Sequence, residues 1–431
     1  MKKLITLTVL LLFLLLNGVQ AQCPSGNVNL FNQSDIHAFV AAFPTCTEIE
    51  GNLVLGKFNE PSDIYDLSGL TMLTYVSGTV KIMGCPDLLT LNGLQHLQAI
   101  GGDLLITNCA NLPSPDGLDQ LAEVGANVSL IMNQSMASLN GLNALQSVGG
   151  SFYLSYMEDL ITLQGLEGLT TIGKDLSLNY TPALINLQGL NALQTIYGTL
   201  LIENNDDMTM LEGLDNLQLV GEDVVIRGNA SLIRLDGLEQ LTSIGRDLVI
   251  GSEYSDGMNG NPNLSNLEGL KNLVTIGRNF QLIDNDQLTS LTGLNKLETI
   301  REKLTIHGNG QLSDCAIEPI CAFLAEGGIT DIEGNAEGCA TTDEVKNLCQ
   351  PNSSSELNLE EQIILQPNPA YGWVKVGLGA DHLWMYSATG TQVMDIPAPG
   401  ETIDLSGLPT GLYLVRLQVD GKDFVKRLMV Q

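Results

Sequence analysis

A Gly-Leu pair recurs along the chain with its glycine at positions 69, 93, 117, 141, 165, 189, 213, 237, 269 and 293; eight of the nine intervals are 24 residues and one is 32. A fixed period of this length dictates a repeat architecture, because each unit can bury its apolar face only against the next. One unit reads L-x-G-L-x-x-L-x-x-I-G-x-x-L-x-I-x-x-N-x-x-L, as in Leu235-Asp236-Gly237-Leu238 followed by Leu241, Ile244, Gly245, Leu248 and Ile250. The stretch before each turn alternates strictly, as Asp103-Leu104-Leu105-Ile106 and Asp223-Val224-Val225-Ile226 do, and that is the period of a strand. No helical spacing is sustained within a unit, and glycine and asparagine punctuate every turn. The expected fold is all-β: a parallel β-helix-like solenoid of 24-residue repeats over residues 51–312.

Successive units place Cys85, Cys109, Asn133, Met157, Thr181, Asn205, Asn229, Asn261, Asn285 and Asn309 at one position. Asparagine there can bond the backbone at a tight corner, adopt a left-handed conformation and align with the asparagine one rung away, so the column is read as architecture. Cys85 and Cys109 stand 24 residues apart in it. Rungs ~4.8 Å apart fall within the roughly 4.4 to 6.8 Å that a disulfide needs between Cα atoms, so a Cys85–Cys109 bond is expected; two stacked buried thiols are the alternative. The other six cysteines, Cys23, Cys46, Cys315, Cys321, Cys339 and Cys349, lie outside the repeats. They are disulfide candidates for the caps that shield the open ends of the array, at residues 22–50 and 313–350. Asn32-Gln33-Ser34-Asp35 opens a short helix with Ile36, Phe39, Val40 and Phe43 on one face. Ile317, Ile320, Cys321 and Leu324 give a second helix, and Val345, Leu348 and Cys349 a third.

Lys2 and Lys3, the apolar run Leu4 to Leu16 and the small residues of Val19-Gln20-Ala21 predict a signal peptide over residues 1–21. Gln22 is not the small residue that lipoprotein processing requires before a cysteine, so Cys23 is read as structural. No further stretch is long and apolar enough for a membrane span. The net charge of −30 is concentrated in the repeats: residues 22–355 carry 12 basic and 40 acidic residues, and residues 356–431 carry 5 and 9. Such a surface repels phosphate backbones, which argues against a nucleic-acid partner.

At Cys46-Thr47-Glu48-Ile49-Glu50-Gly51-Asn52-Leu53-Val54-Leu55, followed by Leu70, Leu73, Val76, Gly78, Val80 and Ile82, the chain resembles the receptor L-domain family, and its repeats also resemble bacterial leucine-rich repeats. The first resemblance implies a right-handed β-helix that binds other proteins. From Leu365 the pattern changes to Gln366-Pro367-Asn368-Pro369-Ala370, then Leu383-Trp384-Met385-Tyr386 with Thr389-Gly390, then Ile403-Asp404-Leu405-Ser406-Gly407-Leu408-Pro409-Thr410-Gly411-Leu412-Tyr413. Short alternating runs between Gly and Pro turns describe a small β-sandwich over residues 363–431, joined by a linker at 351–362. These motifs resemble the type A C-terminal sorting domain of the type IX secretion system of Bacteroidota. That resemblance implies a partner in the secretion machinery, transit through the periplasm to the cell surface or the medium, and removal of this domain.

No HExxH, Walker loop, GxSxG elbow or dinucleotide fingerprint occurs. The four histidines, His37, His96, His307 and His382, are scattered, and no stacked acid pairs mark a glycosidase. The insertion Ser252 to Gly260 mixes oxygen ligands with glycine but lacks calcium-loop spacing. The chain is therefore expected to be non-enzymatic, without metal or cofactor. The candidate contact region is the outer row of the alternating strands, with Leu105, Tyr153, Leu201, Val225 and Val249 in one line and Ile131 two residues further along its strand. The expected partner is an extracellular protein or glycan. A carbohydrate-active or polysaccharide-binding solenoid and a structural surface-layer component are the alternatives.

Overall fold

The computed structural model describes residues 23–252, 260–350, 365–376, 380–419 and 422–431. The expected signal peptide and linker, and most of the 252–260 insertion, lie outside these residues. The chain divides into two compact units, residues 1–349 and 350–431.

The first unit is a parallel β-solenoid. Its main sheet has 13 strands, running from Val28–Leu30 to Ile329–Glu333, each paired with the strand of the next turn. A second sheet of 11 two-residue strands runs from Glu48–Ile49 to Thr299–Ile300. Between the end turns, pairing keeps a 24-residue register, as Leu104 opposite Val128 and Ile106 opposite Leu130, whereas Leu53 faces Val80 at one end and Leu304 faces Thr330 at the other. Across the 32-residue interval Leu248 still faces Phe280, so the register resumes without a slip. The alternating pattern sets this register, because a shift by one residue would turn every strand's apolar residues outward.

Each turn fills the interior with fully buried aliphatic side chains, such as Leu104, Ile106, Leu112, Leu118, Leu121 and Val124. The Gly-Leu glycine marks the sharpest corner: Gly141 has φ +104°, and a Cβ there would collide with the carbonyl of Pro115 in the preceding turn. Within the described repeats only two single-turn 3-10 segments occur, Ser68–Leu70 and Glu268–Leu270, so the coil is β throughout and not a strand-and-helix horseshoe.

The asparagine column is an internal hydrogen-bond ladder. Asn205, Asn229, Asn261, Asn285 and Asn309 are fully buried. The amide Nδ2 of Asn261 donates to Ile226 O at 3.0 Å and to Asn285 Oδ1 at 3.2 Å, while its own Oδ1 accepts from the backbone and side chain of Asn229. The ladder ends at Asn335, where Asn309 donates at 3.0 Å. One expectation is corrected. The ladder asparagine is not the left-handed residue; the residue before it is, as Asn108, Met132, Tyr156, Tyr180, Asn204 and Asp284 have φ between 55° and 57°. An amide that must reach inward to a carbonyl of the previous turn leaves the reversal to its neighbour.

The caps follow from the same sequence signals. Helix α1 (Gln33–Ala42) is capped by Asn32, whose Oδ1 accepts from Asp35 N at 2.9 Å, and it buries Ile36 and Phe39 against the first turn. Helices α2 (Glu318–Ala325) and α3 (Thr342–Cys349) close the other end. Leu348, expected on the buried face of α3, is exposed, and Val345 alone is buried there. Disulfides join Cys23 to Cys46, Cys315 to Cys339 and Cys321 to Cys349, with Cα separations of 4.7, 5.5 and 5.2 Å.

The expected Cys85–Cys109 bond is absent, and both residues are buried free thiols. Each sulfur faces a carbonyl: Cys85 Sγ lies 3.4 Å from Met83 O, and Cys109 Sγ lies 3.6 Å from Thr107 O and 3.8 Å from Ile82 O. Ile82 O stands 27 residues back, the same offset that the ladder amides use, as Asn133 does to Ile106 O. The thiols thus occupy the asparagine places as donors.

The second unit is a small antiparallel sandwich. A three-stranded sheet (365–366, 373–376, 402–404) and a four-stranded sheet (382–387, 392–397, 411–419, 422–430) share one core containing Val374, Ile403, Leu383, Val415 and Leu428.

Candidate binding surface

The outward residues of the main sheet form registered rows. Leu105 faces Ser129, Ser129 faces Tyr153, Tyr153 faces Ser177, Ser177 faces Leu201, and Leu201, Val225 and Val249 follow without interruption. All five predicted residues of this row are half-exposed, flanked by buried inward neighbours. Ile131 is half-exposed in the adjacent row, between Thr107 and Ser155. The apolar line is continuous only over Leu201, Val225 and Val249; Ser129 and Ser177 break it on the N-terminal side. Ile283, at the position equivalent to Ile131, is buried.

The C-terminal corner of this face carries a feature that the strand pattern did not disclose. Its left-handed position holds glycine at 84, 228 and 308, asparagine at 108 and 204, and aspartate at 284. On three consecutive turns it holds Met132, Tyr156 and Tyr180 instead, which are 44%, 48% and 39% exposed. The Tyr156 and Tyr180 rings stack with centroids 5.1 Å apart and planes 9° apart. Tyr153 lies on the same turn as Tyr156, and its hydroxyl donates to Asp175 Oδ2 at 3.4 Å. Tyr197 is exposed at the other end of the face, at a position that is glycine in most other turns, so four of the chain's ten tyrosines fall between 153 and 197. Aligning the column before the ladder asparagine would have revealed the corner residues. A further exposed row, Leu89, Ile161, Ile185 and Ile233, runs along the third side of the coil.

The electrostatics are one-sided here. Residues 82–226 contain 16 acidic residues and a single basic one, Lys174. Glu158, Asp159, Asp206 and Asp207 are exposed two and three residues beyond the same corner. Among the described residues no group of three His, Cys, Asp or Glu side chains could hold a metal ion. His96 bonds Thr71 O at 2.8 Å, His307 pairs with Asp331 at 3.0 Å, and His382 with Asp395 at 2.6 Å, each at a separate place.

Fold and surface together define a capped β-solenoid scaffold followed by a separate β-sandwich. The receptor L domain family matches residues 45–122, and the secretion system C-terminal sorting domain matches residues 365–431. The first part of the solenoid is thus similar to a receptor L domain, and the type IX sorting domain marks the chain for export to the cell surface or the extracellular space. No curated protein matches it. No helix among the described residues is long and apolar enough to cross a membrane.

Proposed function

We propose that this chain is a non-enzymatic recognition scaffold, handed by its sorting domain to the type IX machinery and binding an extracellular partner through the outer face of the main sheet. The observation that carries this reading is the registered row in which Leu105, Tyr153, Leu201, Val225 and Val249 are half-exposed, on a 13-stranded sheet whose opposite face is fully packed. A surface of this kind supplies a rigid platform at no folding cost on binding, and partly exposed apolar side chains gain by being covered. The test replaces Leu105, Tyr153, Leu201 and Val225 by lysine in the full chain. Circular dichroism and melting should stay close to wild type, because the side chains point outward, while capture of the cell-surface protein and glycan fraction is lost. Unchanged capture would remove this face from the function.

A further inference from the structure

Resting on the reading of the main-sheet face as a recognition surface, we propose that its C-terminal corner, Met132, Tyr156 and Tyr180, anchors a cationic, Arg- or Lys-bearing segment of a partner polypeptide.

The corner is built against local preference. A bulky side chain at φ near +55° is strained where glycine or asparagine is at ease, and the same corner takes those residues, or aspartate, in six other turns. Strain of this kind, repeated on three adjacent turns, points to a use for the side chains themselves. They are exposed, so they do not fill the core, and two of them form a parallel aromatic pair. Tyrosine is a preferred anchor in protein interfaces, with arginine its frequent opposite.

The chemistry around the pair selects the sign of the ligand. The charges just beyond the corner are acidic: Glu158 and Asp159 follow Tyr156, and Asp206 and Asp207 follow Asn204 on the turn after Tyr180, while Glu203 beside that corner is already paired with Arg227. Aromatic rings with carboxylates form a donor-poor, acceptor-rich surface. A guanidinium or ammonium group supplies what it lacks, through cation–π contact with the rings and charge-assisted hydrogen bonds to the carboxylates. The field of 16 acidic residues against one basic over residues 82–226 steers such a segment toward the corner. Neutral glycans have no use for that field.

Calorimetry with a synthetic Arg/Gly peptide, its Glu/Gly counterpart and a neutral oligosaccharide, on the full chain, tests the proposal. The Arg/Gly peptide should bind, more weakly as salt rises, and the other two should not. The double variant Tyr156→Asn with Tyr180→Asn should lose affinity about tenfold or more while its melting temperature is unchanged or higher, since asparagine relieves the left-handed strain. Tyr156→Phe with Tyr180→Phe keeps the rings and should keep the affinity. Bound peptide should also shield Tyr156 and Tyr180 from nitration in the unaltered protein, a readout that needs no variant. Equal peptide affinity in the asparagine variant, equal nitration with and without peptide, or binding of the oligosaccharide alone would each overturn the proposal. If the peptide fails to bind but lysines in the Leu105–Val225 row still abolish surface capture, the cationic anchor falls and the recognition face stands.

Discussion

Cys85 and Cys109 take two ladder places that asparagine holds farther along, and each thiol there lies against a carbonyl. Hydrogen bonding to Cys109 and burial push the Cys85 thiol up, so it stays protonated and unreactive in the folded chain. Because both thiols are fully buried, alkylation of the secreted protein should label neither residue until denaturant is added, and both afterwards; mass mapping that recovers a Cys85–Cys109 cross-linked peptide would contradict this. Asp284 offers a second test at this scale. Burial, followed by the charge of Asp286, raises its pKa, with His307 opposing. The folded state then holds the proton more tightly than the unfolded chain, so the carboxylate's contribution is favourable below its unfolded pKa of ~3.9 and is lost as pH rises through the folded one. Asp284→Asn, which suits the left-handed corner equally well, should raise stability at neutral pH by no more than about 0.5 kcal/mol after solvent screening. The gain should vanish in melts at acid pH.

At the scale of elements, the ladder ties turn to turn in the interior from Thr181 to Asn335. Asn261→Leu would strip the acceptor from Asn229 and the donor from Ile226 O, leaving buried polar groups unpaired, and should cost about 2 to 4 kcal/mol in denaturant unfolding. Asn261→Thr should cost less, because Thr181 already stands in the column and donates to Asn205 Oδ1 from both its backbone and its hydroxyl. A null effect of the leucine variant would remove the ladder from the stability account. The strands, their register and the capping helices were legible because inward residues recur at fixed places, and a repeat multiplies a weak local signal. The corner was not legible. Asparagine tolerates left-handed backbone, so propensity assigned the reversal to it, whereas its amide is needed inward and the preceding residue turns. Nor does spacing decide whether two sulfurs one rung apart bond, since that depends on where each side chain points. Met132, Tyr156 and Tyr180 were overlooked because a consensus repeat averages away the turns that depart from it.

At the scale of the whole molecule, a folded solenoid is followed by a separate sorting sandwich that marks the chain for export. Deleting residues 363–431 should leave the solenoid trapped in the periplasm, and cell fractionation showing undiminished surface display would contradict the role given to the tail. The exported solenoid is proposed to bind its partner without turning it over. The most direct test of this is an adsorption isotherm of the secreted chain on cells of the producing bacterium, with the supernatant assayed for new reducing ends and cleaved peptides. The account predicts saturable, reversible adsorption that is lost when Leu105, Tyr153, Leu201 and Val225 become lysine, with the bound material recovered intact. Adsorption indifferent to those substitutions, or a product accumulating in the supernatant, would contradict it.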